Sequence, residues 1–110
     1  SLDYEERDIT FYSEDTALAG SVILPNNART YPAVVFVHGS GQEVRDGDRS
    51  LAAHFVNQGI ASLIYDKRGC GASGGDWLAL LDNEFSFPLL AKDALAGLRF
   101  LQGQSDINAS

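Results

Sequence analysis

The sequence predicts an α/β fold built on a mixed sheet, with an antiparallel hairpin first and parallel strands joined by crossover helices after it. Three observations predict it. Two alternating segments near the N-terminus flank a short turn, an unbroken apolar run follows at 33–37, and segments of helical period then alternate with a further apolar strand.

Residues 8–13 alternate, with Ile9 and Phe11 on one side and Thr10 and Tyr12 on the other, the pattern of a half-buried strand. Ser13-Glu14-Asp15-Thr16 supplies turn residues. Ala17 to Leu24 forms a second strand with Leu18, Val22 and Leu24 apolar, ended by Pro25-Asn26-Asn27. Strands joined so closely pair antiparallel. Ala33-Val34-Val35-Phe36-Val37 has no polar alternation and reads as a strand buried on both faces, as in a parallel sheet. Asp48 is expected to cap a helix whose Leu51, Ala52, Phe55 and Val56 share one face, with Gly59 at its left-handed stop. Ile60 to Tyr65 is the next strand, and Asp66 to Gly75 a glycine-rich loop. A last helix begins near Pro88, carries Leu90, Ala91, Ala94, Leu95, Leu98 and Leu101 at helical spacing, and ends at Gly103. Residues 77–87 fit no element. The strand–helix–strand unit from 33 to 65 implies parallel pairing.

Composition narrows the function classes. With 110 residues the chain is one domain at most, 45% hydrophobic and 21% charged, and so able to bury a core. Eight Lys and Arg against fifteen Asp and Glu give −7, spread along the chain, which disfavours phosphate backbones and anionic lipid; neither nucleic acid nor membrane is an expected partner. No run approaches the roughly 18 apolar residues of a membrane helix. One Cys and two His form a poor metal inventory, and neither metal nor cofactor is expected. The compartment stays open. The sequence contains no Met and begins Ser1-Leu2-Asp3-Tyr4, and it stops in polar residues soon after the last helix; both ends are expected to have been trimmed.

Two segments carry the chemistry. His38-Gly39-Ser40-Gly41 follows the apolar strand, at the carboxyl end where α/β sheets bind ligands, and its glycines let backbone N–H groups face a developing negative charge. A tight turn without a catalytic role explains the same glycines. The loop Asp66 to Gly75 matches two patterns at once. Gly69, Gly71 and Gly74 spell a dinucleotide fingerprint, with Asp93 nineteen residues beyond, and Gly71, Ser73 and Gly75 spell a nucleophile elbow. Both require the motif at the strand end and a helix opening directly after it. Here Asp66-Lys67-Arg68 intervene and no helix follows until the late eighties, so a close-packing turn is the preferred reading. His54 is read as a surface or boundary side chain, Cys70 as a small loop residue rather than a reactive thiol, and Asp93 as facing solvent or a strand end.

Together these segments resemble the opening half of the α/β-hydrolase superfamily, nearest its dienelactone hydrolase and prolyl-oligopeptidase-like branch. The resemblance rests on Leu24-Pro25, Tyr31-Pro32 through His38-Gly39-Ser40-Gly41, Gly59-Ile60-Ala61, and Tyr65 through Gly74. It implies that residues 1–110 are the N-terminal portion of a single hydrolase domain. It implies an oxyanion-hole N–H from Ser40, with Gly41 as neighbour and second candidate, and a loop at 66–74 that shapes the rim without supplying a nucleophile. It further implies a serine-type parent enzyme acting on a small-molecule or peptide acyl substrate, an ester, thioester or peptide bond. The elbow, triad acid and catalytic His lie in no part of residues 1–110, so the chain alone is expected to be inactive toward esters. In the family sheet the third strand lies between the fourth and the fifth; without the fifth, Val34 to Val37 forms an exposed apolar edge, which predicts self-association, a partner fragment or a missing C-terminal half. Two readings stand beside this one: a nucleotide-binding α/β module using Gly69 to Gly74, and a non-catalytic hydrolase-like scaffold.

Overall fold

The structure is a computed structural model and describes residues 4–25, 30–37, 44–75, 86–104 and 107. Strands β1 (Tyr4–Ser13) and β2 (Thr16–Pro25) form the expected hairpin, paired from Tyr4–Pro25 to Ser13–Thr16. Its two-residue connection places Glu14 at φ 54°, the left-handed position that matches strand twist in tight hairpins. β3 is Ala33–Val35, a 3₁₀ turn occupies Arg45–Asp48, and α1 is Arg49–Val56. β4 is Ala61–Tyr65 and α2 is Ser86–Gln102. The four strands lie in the order β1-β2-β4-β3, with β4 antiparallel to β2 and parallel to β3.

Each helix covers one face. On the α2 side, Phe11, Leu18, Val22, Leu24, Ala61, Leu63, Tyr65 and Leu101 form the larger cluster, with Phe11 and Tyr65 meeting edge to face at 5.5 Å. On the α1 side, Ile23, Ile64, Ala52 and Val56 form the smaller one, with Phe36 against it. The period-2 alternation of β2 and β4 feeds both clusters. All five residues of β4 are buried, as a central strand requires.

Four sequence expectations change. β3 is an edge strand, so its residues are half-buried instead of enclosed on both faces, and Val37 beyond it is 61% exposed. Asp48 closes the 3₁₀ turn with φ −101° and ψ 0° and makes no side-chain cap bond. Leu51 faces out, while the adjacent Ala52 and Val56 pack on β2 and β4. In α2 the buried positions are Asp93, Gly97 and Leu101, with Leu95 and Leu98 exposed. Gly97 explains the shift of face. A Cβ there would stand 2.9 Å from a Leu63 methyl, so the helix sits directly on the sheet at a residue that a hydrophobic pattern does not count. Gly59 ends α1 as expected, at φ 78°, with Ile60 N–H donating to the Phe55 carbonyl and Gly59 N–H to that of Val56.

A candidate active-site end built on the Asp66 loop

The carboxyl ends of β3 and β4 point the same way, since the two are parallel. Sequence reasoning placed its site residues there. Ser40 and Gly41, with His38 and Gly39, lie outside the described residues. The glycine-rich loop after β4 is described, and it is organised around the buried carboxylate of Asp66.

Asp66 Oδ1 accepts the Arg45 backbone N–H at 2.8 Å and Arg45 Nε at 3.2 Å. Oδ2 accepts Arg45 Nη2 at 3.2 Å and the Ala72 N–H at 2.9 Å. Arg45 Nη1 also donates to the Gly20 carbonyl and to Ser21 Oγ, both at 2.9 Å. One carboxylate therefore fastens the turn preceding α1, the middle of β2 and its own loop. Gly71 is the residue that lets the loop wrap this group: its φ is 53°, and a Cβ there would fall 2.5 Å from Oδ2.

Burial opposes ionisation of Asp66, but the Arg45 side-chain and backbone hydrogen bonds, the Ala72 N–H and the Arg45 charge together hold its carboxyl below the usual carboxylate range. The folded group thus binds its proton less tightly than the unfolded one. Its stabilisation is complete above the ordinary carboxylate value of about 4 and is lost as pH falls through the folded value. Urea midpoints measured from pH 7 to pH 3 should fall, and Asp66→Asn, less stable at pH 7, should fall less steeply. Parallel curves would exclude Asp66 as a titrating contributor.

Ser73 is engaged on both sides. Its hydroxyl donates to the Asp66 carbonyl at 2.5 Å and accepts the Ala19 N–H at 2.9 Å, which joins the loop to β2. The Gly74 N–H and the Asp66 N–H continue this pairing on the carbonyls of Ala17 and Ala19. The close-packing reading of the loop is the one the geometry supports. Cys70 is buried in the same loop, and His54 is exposed on α1.

Of the two placements read for Asp93, solvent or a strand end, it takes the second, against Arg68 just beyond the end of β4. It is 1% exposed and takes Arg68 in a two-pronged ion pair, Nε to Oδ2 at 3.0 Å and Nη2 to Oδ1 at 2.8 Å, while Arg68 Nη1 donates to Thr16 Oγ1 at 2.8 Å. Sequence reasoning missed this pair and the Arg45–Asp66 pair. The available signal was an Asp and an Arg flanking a strand end, each too polar for burial without a partner. Tyr65, the last residue of β4, is pushed up to about 12 by burial and then by the Asp93 and Asp48 charges, so its phenol stays protonated through neutral pH. Among the described residues no group of three or more His, Cys, Asp or Glu is placed to hold a metal ion.

Comparison with known proteins gives the following. No family model matches. The chain is 28% identical to esterase EstD of Thermotoga maritima over 96% of its own length and 25% of the relative's. It spans about a quarter of the length of the curated relatives it matches. Among solved structures, a hypothetical protein, PA2218 of Pseudomonas aeruginosa, superposes with a TM-score of 0.78 at 27% identity, covering 98% of this chain and 33% of that one. The dienelactone hydrolase-like promiscuous phosphotriesterase P91, from metagenomic libraries, does so with a TM-score of 0.73 at 18% identity, covering 98% and 46%. The chain has the fold of the N-terminal part of an α/β hydrolase, and its structural neighbours include dienelactone hydrolase-like proteins and esterases.

Proposed function

We propose that these residues are the N-terminal portion of a serine-type acyl hydrolase, acting on an ester, thioester or peptide bond, and that they supply its oxyanion turn but not its nucleophile. The backbone N–H of Ser40, with Gly41 beside it, faces the oxyanion that forms as the acyl carbonyl is attacked. Such donors stabilise charge that develops only in the transition state. The nucleophile, its base and the acid come from outside residues 1–110. The observation that carries this reading is the engagement of Ser73 between the Asp66 carbonyl and the Ala19 N–H, which ties its hydroxyl into the loop and β2. An elbow serine is held exposed on a strained strand-to-helix turn. The likeness to esterase EstD supports the acyl-transfer class.

The nucleotide-binding alternative loses ground on the same geometry. The Ala72 N–H that a phosphate would seek is given to Asp66, whose carboxylate repels phosphate.

The pure 110-residue chain should hydrolyse p-nitrophenyl acetate no faster than buffer, whereas a longer form that includes a C-terminal GxSxG segment should turn it over. Turnover by the short chain that disappears in Ser73→Ala would overturn the assignment. A longer form that is folded but inert toward activated esters and thioesters would favour the non-catalytic scaffold.

A further inference from the structure

A groove of about 620 Å³ runs between the end of β1 and the α2 face that carries Lys92, Leu95, Ala96 and Arg99. It lies beyond β2, two strands from β4, and the acyl-hydrolase reading makes no use of it. Its floor is apolar: Phe11 is 3% exposed, its ring lies 6.2 Å from that of Phe100, and Ala96 is half-buried between them and solvent. Leu95 forms a wall and is 44% exposed, while Tyr12, on the face of β1 opposite Phe11, borders the groove along the strand. A volume of this size suits a small organic molecule.

The charges of the groove select the kind of molecule. Lys92 and Arg99 are seven positions apart on one helix face, roughly 10 Å along the axis. The chain carries only eight basic residues against fifteen acidic ones, so two cations on one apolar groove stand out from the surface. They are not equivalent. Lys92 Nζ is 3.9 Å from Glu14 Oε2, which offsets its charge, while Arg99 has no ion-pair partner among the described residues. A free guanidinium at the rim of an apolar trough takes a carboxylate by two parallel N–H bonds. The rings of Phe11 and Phe100 suit an aromatic body, for which offset or edge contact adds to simple burial.

We infer that the groove between β1 and α2 is a binding site for a small aromatic carboxylate, its carboxyl group on Arg99 and its ring over Ala96 against Phe11 and Phe100. This inference stands apart from the acyl-hydrolase reading, because no part of the groove belongs to the loops at the carboxyl ends of β3 and β4.

The test titrates the ¹⁵N-labelled chain with 2-naphthoate and follows backbone amides by two-dimensional NMR. Saturable shifts are expected at residues 10–14 and 92–100. Arg99→Gln should weaken binding by about tenfold, and the neutral 2-naphthamide should bind about tenfold more weakly than the acid. Arg99 is exposed, so the variant keeps its fold, which its own spectrum verifies. Ala96→Phe fills the trough and should abolish the shifts even with Arg99 intact. The inference fails if the shifts do not saturate, if they centre on β3 or the Asp66 loop, or if acid and amide bind equally. It fails also if Arg99→Gln binds as the parent chain does.

Discussion

Asp93→Ala is expected to cost about 3–5 kcal/mol of folding stability, the range seen when one partner of a buried ion pair is removed. Both groups of the Arg68–Asp93 pair are out of water, with side-chain exposures of 9% and 1%. Removing the carboxylate leaves a buried guanidinium without a counter-charge. Without Asp93 the cation keeps only Thr16 Oγ1 as its described partner. The stem of Arg68 cannot readily swing away, because Gly75 closes over it; a Cβ on Gly75 would lie 2.9 Å from Arg68 Cγ. Urea denaturation should report the loss, with a fall in Tm of more than about 10 °C for a chain this short. The double variant Arg68→Met with Asp93→Leu should regain most of it, since a buried pair replaced by apolar groups of similar volume is often neutral. A loss below 1 kcal/mol in Asp93→Ala would mean that water reaches the site and screens the cation.

The second large effect concerns association. We propose that the outer edge of β3 makes this chain self-associate or take up a further strand. The backbone explains why. The Pro32 carbonyl and the Phe36 N–H are spent on β4, so the groups of Ala33 and Val35 point the other way, outward. Ile107 already enters that side, bridged in parallel to Tyr31 and 7% exposed. Ala33 to Val37 continue beyond the bridge as an apolar run with no charge to guard it. Light scattering at increasing concentration should show dimers or larger species. Val35→Pro should reduce them, because it removes an outward N–H without breaking a bond to β4, and edge strands tolerate proline. A chain that stays monomeric at high concentration would refute the proposal. An unchanged size distribution in a folded Val35→Pro variant would place the contact elsewhere.

Most of the scaffold was legible in the sequence because it depends on local pattern. Ile9 and Phe11 against Thr10 and Tyr12 gave β1, the unbroken apolar run at 33–37 gave β3, and Gly59 marked the end of α1. The inner face of α2 was misread because two of its buried residues are Asp93 and Gly97, which a count of apolar spacing skips. The pairs Arg45–Asp66 and Arg68–Asp93 join residues 21 and 25 positions apart. No periodicity carries that information, since the partners meet only after β2 and α2 have docked on β4. The glycine-rich loop shows the same limit from the other side. Two well-known glycine patterns could be written over it, and the geometry assigns its glycines to neither, because Gly71 makes room for a carboxylate inside the protein.

The position of β4 bears on how the chain is made. β4 is inserted between β2 and β3 although it follows both in the sequence. On a nascent chain the β1–β2 hairpin can close within microseconds. It shares no ladder with β3, however, until residues 61–65 arrive and Tyr65 reaches Gly20, forty-five positions back. Closing so long a loop delays sheet assembly. During that interval Leu18 to Leu24 has one open edge and Ala33 to Val37 has no partner, and both are apolar, a segment of translation in which a holding chaperone has two sites to occupy.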